Sequence, residues 1–225
     1  MNSEEYALVV AGGKGSRMGT SLPKQFLSLA GKPLILHTLD AFYQYSENIK
    51  VVLVLPGEDF ATWKKICEQH GFDRDLTLVE GGASRFQSVK RGLEKVGGNG
   101  LVAIHDGVRP LVNQKMIALS FQTAAIHQTA IAAVPLKDSI RMVNGEENQA
   151  LNRASYALIQ TPQTFSIPLI KSAYTQQEDP KLTDDASVAE KAGYKIKLYE
   201  GHYNNIKITT PEDLVVAEAI LKQGK

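Results

Sequence analysis

The sequence of 225 residues is poor in cysteine, in excess charge and in long apolar runs. Its single cysteine, Cys67, cannot form a disulfide within the chain, which is typical of proteins from reducing compartments. The 25 Lys and Arg residues nearly balance the 24 Asp and Glu residues, leaving a formal net charge of +1. This balance excludes a broad electrostatic grip on nucleic acid or on an acidic membrane surface. The longest apolar runs, such as Val51–Leu55 and Ala130–Val134, are far too short to span a bilayer.

Targeting and low-complexity segments are also missing. The first six residues are polar and acidic, where a secretory signal would be basic and then apolar. Hydrophobic residues make up 43% of the chain and charged residues 22%, which excludes a disordered, collagenous or fibrous protein. No linker and no internal repeat divides the sequence. We therefore expect residues 1–225 to form one globular domain in the cytoplasm, with no membrane and no nucleic acid polymer as a partner.

Short aliphatic runs alternate with longer amphipathic stretches along the chain. Nearly continuous apolar character, typical of strands buried on both faces, predicts strands at Tyr6–Ala11, Lys50–Leu55, Leu76–Val79, Leu101–His105 and Ala130–Pro135. The stretches between and after them predict helices at Pro33–Tyr45, Ser84–Val96, Asn113–His127 and Pro211–Leu221. This alternation predicts an α/β fold: an open, mostly parallel, twisted sheet with right-handed crossovers and helices on both faces.

One segment interrupts this alternation. Residues Lys137–Ala157 are mostly polar, and Asn144-Gly145 has the composition of a hairpin turn. The segment is either a plain surface insertion or a β-arm that leaves the main domain. Because an arm of this length needs a surface to pack on, we favour an arm that acts as a dimerisation element.

A glycine-rich loop, Ala11–Gly19, follows directly after the first predicted strand. Glycines there allow backbone N–H groups to approach a phosphate. The loop is not a Rossmann dinucleotide fingerprint, because Met18 occupies the place of its last glycine or alanine and no acidic residue ends the second strand. It is not a Walker loop either, because Gly15 is followed by Ser16 where that motif requires lysine. Taken alone, such a loop is better explained as a flexible surface loop with solvated cations.

Three further clusters strengthen the interpretation as a binding site: Gly81–Arg85, His105–Pro110 and Asn204–Thr209. In an open α/β sheet the carboxyl ends of the parallel strands line one edge, where ligands bind. We therefore expect five cations on or near that edge: Arg17, Lys24, Arg85, Arg109 and Lys207. Asp106 lies among them, either as an ion-pair partner or as a ligand of Mg²⁺, which takes one or two carboxylates together with substrate phosphates.

With these motifs the chain resembles the small nucleotidyltransferases that have a Rossmann-like core. The resemblance begins with the loop Ala11–Gly19 and Pro23-Lys24-Gln25-Phe26. Further blocks narrow it to the 2-C-methyl-D-erythritol 4-phosphate cytidylyltransferases of non-mevalonate isoprenoid biosynthesis: Gly81-Gly82-x-x-Arg85-x-x-Ser88-Val89, His105–Pro110, Gln160–Phe165, Thr183–Ser187 and Asn205–Thr209. Together the blocks span nearly the whole chain. The resemblance implies transfer of the cytidylyl group of CTP to 2-C-methyl-D-erythritol 4-phosphate, giving 4-diphosphocytidyl-2-C-methyl-D-erythritol and pyrophosphate.

The resemblance also implies roles for individual residues. It implies that CTP is bound by Ala11, Gly12, Gly13, Gly15, Ser16, Gly82 and Ser88. It assigns catalysis to Arg17, Lys24, Asp106 and Lys207, with Asp106 also holding Mg²⁺ or another divalent cation. Methylerythritol phosphate would be bound by Asp106, Ser139, Arg153 and Lys207. Family members of this kind are homodimers, so the resemblance implies that the arm crosses to a partner subunit and that Arg153 serves the partner's site.

Two positions are less determined. Arg109 belongs to the same motif as Asp106 and either contacts substrate or fixes its own loop. Some relatives have Asp where this chain has Asn204, which puts a metal or substrate contact there in doubt.

His105 is expected to point to the sheet face opposite Asp106 and to be structural. No general base is required, because a phosphate monoester with a second pKa near about 6 is already largely ionised at neutral pH.

Three other functions can be compared with this one. A cytidylyltransferase for another polyol phosphate, such as ribitol 5-phosphate, shares the first loop but typically has Ser in place of Gly107. An NAD-dependent oxidoreductase conflicts with the failed dinucleotide fingerprint. A non-catalytic nucleotide-binding module would not need this concentration of charge. The methylerythritol phosphate enzyme is therefore the favoured hypothesis.

Overall fold

The computed structural model describes residues 4–12 and 22–223, and a seven-stranded sheet forms the centre of this part of the chain. Its strands are β1 (Glu5–Val10), β4 (Lys50–Leu55), β5 (Thr77–Glu80), β6 (Leu101–Asp106), β7 (Thr129–Pro135), β10 (Ala157–Ser166) and β11 (Leu198–Glu200). The spatial order is β11-β7-β10-β6-β1-β4-β5. Neighbouring strands are parallel except at β10, which runs antiparallel to both β6 and β7. The sheet is therefore mostly parallel, as expected, with one reversed strand.

Seven α-helices accompany the sheet in the described part of the chain: α1 (Leu34–Tyr45), α2 (Phe60–His70), α3 (Arg85–Glu94), α4 (Gln114–His127), α5 (Ile167–Ala173), α6 (Asp185–Lys191) and α7 (Pro211–Gln223). Alternation along the strands divides the core between the two sheet faces. On β1, Ala7 and Val9 belong to a core cluster with residues of α1, α2 and α4. Their neighbours Leu8 and Val10 belong to a second cluster with residues of α3, α5 and α6.

A small third cluster joins α7 to the rest of the molecule. It contains Ala217 of α7 and Ile208 of the preceding loop, with Leu29, Leu34 and Val108. Leu29 lies in the short hairpin formed by β2 (Ser28–Leu29) and β3 (Lys32–Pro33). Because Val108 follows β6 and Ile208 N–H donates to its carbonyl at 2.9 Å, this cluster holds the loop before α7 against the end of β6.

The predicted strands and helices are confirmed, with ends that differ by a few residues. Several elements had no prediction: α2, α5, α6, β10 and β11. Strand β10 contains Pro162 and several polar residues, a composition that argues against a central strand. It is nonetheless buried from Gln160 to Phe165, because α4 and the neighbouring strands cover it. Tertiary packing, rather than local composition, makes this segment a strand.

The polar segment predicted to be an arm contains a β-hairpin. Strands β8 (Ile140–Asn144) and β9 (Glu147–Leu151) pair in antiparallel fashion around a tight turn. Gly145 in the turn has φ of +60°, a conformation that glycine adopts without strain. Met142 and Val143 are largely exposed on this hairpin. Packing of the arm on a partner subunit stays a prediction.

The helices within residues 4–12 and 22–223 are short. The longest described helix, α4, has 14 residues. None of the helices there is long and apolar enough to cross a bilayer.

Candidate active site

A cleft of about 240 Å³ lies at the carboxyl ends of β1, β5 and β6. These strands are parallel, so their ends meet at one edge of the sheet, as the sequence predicts. The described residues that line the cleft are Val10, Ala11, Gly12, Lys24, Gln25, Gly82, Ala83, Ser84, Arg85, Ser88, Asp106, Val108 and Lys207. Ala11, Gly12, Gly82 and Ser88, predicted to bind nucleotide, are thus brought together with three of the predicted catalytic residues.

The turn after β5 is tied to the first turn of α3. Ser84 caps this helix, because its Oγ accepts a hydrogen bond from Gln87 N–H at 3.1 Å. The buried Ser88 hydroxyl donates to the Ser84 carbonyl at 2.8 Å and accepts from Gly82 N–H at 3.1 Å. A Cβ atom on Gly82 would lie only 2.3 Å from Cβ of Gln87. Glycine at this position therefore lets the turn lie directly against the helix.

Lys24 begins a short 3₁₀ turn, Lys24–Phe26, after Pro23. The next residue, Gln25, is buried, and its Nε2 donates to Oδ2 of the buried Asp59 at 2.7 Å. This amide–carboxylate bond holds the turn against the loop that follows β4. Lys24 is consequently attached to a fixed piece of backbone on one wall of the cleft.

Asp106, the last residue of β6, lies among three cations. Its Oδ2 is 2.9 Å from Nζ of Lys207 and 3.5 Å from Nε of Arg109, and its Oδ1 is 3.6 Å from Nε of Arg85. Burial by itself would raise the pKa of Asp106, but the positive charges of Arg85, Lys207 and Arg109 hold it well below the usual value. The carboxylate is therefore ionised at any physiological pH.

Arg85 is itself anchored by a carboxylate that sequence reasoning missed. Nη1 and Nη2 of Arg85 donate to the two carboxylate oxygens of Asp185 at 2.9 and 2.7 Å, a bidentate pair. Asp185 is fully buried and also accepts from the Tyr174 hydroxyl at 2.6 Å. The only signal in the sequence was the motif Thr183–Ser187, to which no role was given. The cluster holds three cations against two carboxylates, an excess of positive charge that suits an anionic ligand.

A second cleft, of about 480 Å³, meets the first at this cluster. Arg85, Asp106 and Lys207 line both clefts. The second cleft is also lined by Arg109, by Gln163 of β10 and by Asp184, which accepts from Gln163 Nε2 at 2.8 Å. Two ligands placed in the two clefts would therefore meet beside the same cations.

The remaining predicted site residues fall into two groups. Gly13, Gly15, Ser16 and Arg17 fall outside the described residues. Ser139 and Arg153 are exposed at the base of the arm, where Arg153 donates to the Lys137 carbonyl. Among the described residues that line the two clefts, neither Ser139 nor Arg153 occurs. Within one chain, the arm residues are not brought to Asp106.

The residues around Asp106 can also be compared with the needs of a divalent metal ion. Within residues 4–12 and 22–223 there is no group of three or more His, Cys, Asp or Glu side chains suited to hold one. Asp106 is the carboxylate that both clefts share, and it is ionised. One carboxylate fits Mg²⁺ when substrate phosphates supply most of the other ligands. The donor set is thus compatible with a metal that arrives with a nucleotide.

His105 points away from the cleft, as predicted. It is completely buried, and its ring meets that of Phe42 in α1 edge-on, with the ring centroids 5.3 Å apart. Burial lowers the pKa of His105 to about 4. The ring is therefore neutral at physiological pH and has a structural place in the core.

Comparison with known proteins decides the family. A family model for IspD, 2-C-methyl-D-erythritol 4-phosphate cytidylyltransferase, matches residues 6–223. The chain belongs to this family. Proteins called 2-C-methyl-D-erythritol 4-phosphate cytidylyltransferase in Bacteroides fragilis and Porphyromonas gingivalis are 48% and 42% identical to it. The matches cover 96% and 98% of this chain and 98% and 99% of those proteins.

Solved structures agree with this assignment to the cytidylyltransferase family. The 4-diphosphocytidyl-2C-methyl-D-erythritol synthase of Anaerococcus prevotii superposes with a TM-score of 0.83 at 29% identity, covering 98% of this chain and 96% of that one. The 2-C-methyl-D-erythritol 4-phosphate cytidylyltransferase of Thermus thermophilus superposes with a TM-score of 0.77 at 30% identity, covering 99% and 100%. The family resemblance and the Rossmann-like α/β fold are confirmed, and the roles of individual residues stay predictions.

The buried neutral His105 predicts a specific dependence of stability on pH. Because its pKa in the folded protein, about 4, lies below the unfolded value of 6.5, the unfolded state binds more protons between these values. This contribution to stability is complete above pH 6.5 and is lost as the pH falls towards 4. We expect His105→Gln to reduce the slope of unfolding free energy against pH by up to about 1.4 kcal/mol per unit in this range.

Urea denaturation from pH 4.5 to 7.5 measures the slope for each variant. His127→Gln, at an exposed histidine, is the matched control and should leave the slope as in the wild-type protein. Equal slopes for the wild-type protein and His105→Gln would show that His105 titrates normally.

Proposed function

We propose that the two clefts meeting at Asp106 are where this chain transfers the cytidylyl group of CTP to 2-C-methyl-D-erythritol 4-phosphate, releasing pyrophosphate. The observation that carries this proposal is the Asp106 cluster itself. In a chain of the cytidylyltransferase family, Arg85, Asp106 and Lys207 line both clefts, so that two anionic substrates can meet beside shared cations.

The chemistry requires positioning and charge neutralisation rather than proton abstraction. The attacking group is a phosphate oxygen of the sugar alcohol, which is already largely ionised at neutral pH because its second pKa is about 6. Attack on the α-phosphorus of CTP brings two anions together and accumulates negative charge at phosphorus. Cations fixed in advance stabilise that charge most effectively, because they need no reorganisation during the reaction. Lys24 and Lys207 occupy the cleft for this purpose, and we assign the same role to Arg17.

Each wall of the first cleft then has a part in binding CTP. The glycine-rich loop from Gly12 onward would bind the triphosphate through backbone N–H groups, with Gly13, Gly15 and Ser16 continuing it. Ala11 would line the site beside it, since its own N–H donates to the Val54 carbonyl at 2.9 Å. Gly82, in the turn after β5, and Ser88, in α3, would contact the cytosine end. Asp106 would hold Mg²⁺ together with the phosphates, and the metal would neutralise phosphate charge. The ionised state of Asp106 supports this assignment.

Gly107 supports 2-C-methyl-D-erythritol 4-phosphate, rather than ribitol 5-phosphate, as the second substrate. A Cβ atom at this position would lie 2.7 Å from Cβ of Ala11 and 2.8 Å from Cδ1 of Ile35. The serine typical of ribitol phosphate enzymes would therefore require Ala11 and the side chain of Ile35 to move away from the loop after β6. The close packing around residue 107 suits the glycine of the methylerythritol phosphate enzymes. Ribitol 5-phosphate is the second candidate substrate.

A pyrophosphate-release assay tests the function directly. With CTP and Mg²⁺, we expect 2-C-methyl-D-erythritol 4-phosphate to give a kcat/KM at least about 100-fold above that of ribitol 5-phosphate, since a site built for one polyol loses paired hydrogen bonds with another. Omission of the polyol phosphate is the control for CTP hydrolysis. Higher kcat/KM with ribitol 5-phosphate would reverse the assignment, and no release with either would reject cytidylyl transfer to these polyols.

The role of Lys24 predicts a large loss of turnover. Removing one preorganised donor from a charge-stabilising site costs on the order of 100-fold in kcat. We expect Lys24→Ala to lose at least this much at saturating CTP, while Lys115→Ala, at an exposed lysine of α4, keeps wild-type kcat. Steady-state pyrophosphate release measures both, and near-normal turnover of Lys24→Ala would exclude the role.

We infer that the arm pairs two chains and carries Ser139 and Arg153 to the partner's site. What supports this is their exposure at the base of the arm, apart from both clefts of their own chain. An isologous dimer would place each arm against the other subunit. We locate this homodimer in the cytoplasm, in keeping with the single cysteine.

Mixing two inactive variants tests the exchange of arms. In a dimer of one Lys24→Ala chain and one Arg153→Ala chain, one site carries both defects and the other carries neither. After random exchange of chains we expect about one quarter of wild-type activity to return, because half of the dimers are mixed. Arg141→Ala, another arm arginine, should be active without mixing. No recovery despite chain exchange, shown by mass labelling, would mean that Arg153 does not act across the dimer.

A further inference from the structure

Strand β10 passes the end of β6 at the point where its own pairing is irregular. Its register with β7 shifts between Ile159 and Gln163, and its ladder with β6 covers only Gln163–Ser166. In this gap the backbone N–H of Asp106 donates to a side chain, the hydroxyl of Thr161, at 3.1 Å. Thr161 is buried, so this donor depends on the hydroxyl rather than on solvent.

The hydroxyl of Thr161 also contacts His105, and the direction of its proton can be derived. Nε2 of His105 lies 3.2 Å from the carbonyl oxygen of Arg109, which can only accept, so Nε2 carries the proton of the neutral ring. Nδ1 is then an acceptor, and it lies 3.0 Å from Thr161 Oγ1. Thr161 thus donates its single hydroxyl proton to His105 and accepts from Asp106 N–H, so that the hydroxyl acts both as a donor and as an acceptor.

The same residue is bound to the loop that carries Lys207. The backbone carbonyl of Thr161 accepts from Nδ2 of Asn205 at 2.8 Å. The backbone carbonyl of Asn205 in turn accepts from Nη1 of Arg109 at 2.8 Å. Asn205 is fully buried, and Lys207 follows it by two residues. One residue of β10 therefore connects the end of β6 to the loop before α7.

We propose that Thr161 is a positioning residue for the transfer reaction, holding Asp106 and the Lys207 loop in register through its hydroxyl and its carbonyl. This inference rests on the proposed function of the Asp106 cluster. Thr161 does not act on the reacting atoms; it sets the main-chain position of Asp106, whose carboxylate makes the 2.9 Å contact with Lys207. His105 serves as the acceptor that orients the hydroxyl.

Thr161→Val removes the hydroxyl at nearly constant volume and leaves both Asp106 N–H and His105 Nδ1 without this partner. Unpaired buried groups relax by moving, so we expect kcat/KM for methylerythritol phosphate to fall by about 10-fold or more. Thr161→Ser retains the hydroxyl and should stay within about 3-fold of the wild-type protein. If Thr161→Val has the same kcat as Thr161→Ser, and the same KM for CTP and for methylerythritol phosphate, the proposal is wrong.

A control on the same strand separates positioning from a general loss of packing. Thr164 is also buried in β10, and its hydroxyl donates to Ser120 at 2.9 Å, away from the site. Thr164→Val removes a comparable hydrogen bond and should lower the unfolding temperature while kcat/KM is retained. If Thr164→Val and Thr161→Val lower kcat/KM equally, the effect of Thr161 is merely structural and the proposal is wrong.

The wild-type protein provides a measurement that requires neither a variant nor turnover. In ¹⁵N-labelled protein at pH 7, His105 should show a protonated Nε2 and an unprotonated Nδ1 that accepts a hydrogen bond. The opposite tautomer would overturn the proposed direction, even if every variant failed to fold. If the wild-type protein shows this tautomer yet releases no pyrophosphate from CTP and methylerythritol phosphate, the proposed function fails while the Thr161 contacts stand.

Discussion

The interaction on which the site depends is the burial of one carboxylate, Asp106, among three cations. An ionised carboxylate removed from water is costly unless charge partners surround it, and breaking such a pair costs about 3–5 kcal/mol. Lys207, Arg109 and Arg85 supply those partners from three separate segments of the chain. Asp106 therefore ties the end of β6 to the start of α3 and to the loop before α7, and it gathers positive charge where the two clefts meet.

Secondary anchors explain why these cations stay in place. Arg85 is held by the bidentate contact with the buried Asp185, and Arg109 by the carbonyl of Asn205. Each anchor accepts hydrogen bonds from one guanidinium group. The position of that arginine therefore does not depend on its attraction to Asp106 alone. An excess of positive charge faces the first cleft, where Lys24, Arg85 and Lys207 accompany Asp106, and such an excess is suited to the electrostatic stabilisation of phosphoryl transfer. The near-neutral total charge of the chain conceals this local imbalance.

The reversed strand β10 is the feature of the fold that matters most for the site. Because β10 pairs with β6 in antiparallel fashion, it runs past the carboxyl end of β6. A parallel neighbour would instead have ended at that edge of the sheet. Its irregular stretch brings Thr161 to the N–H of Asp106 and Gln163 to Asp184. The sequence predicted neither the strand nor these contacts, because Pro162 and the polar residues around it are unfavourable for a central strand until the neighbouring strands and helices bury them.

The sequence by itself determined the alternating α/β order, the hairpin in the polar arm, the family, and the gathering of Lys24, Asp106 and Lys207 at one sheet edge. Apolar periodicity and turn composition were sufficient for the element order and the hairpin, because they are properties of short segments, whereas the family followed from the resemblance of motifs spread along the chain. Only the tertiary structure decided that Asp185 anchors Arg85, that Thr161 joins the end of β6 to the loop before α7, and that Arg153 lies apart from the two clefts at Asp106. Those contacts join residues distant in sequence, such as Arg85 and Asp185, and their energies arise from burial and charge that exist only once the chain is folded.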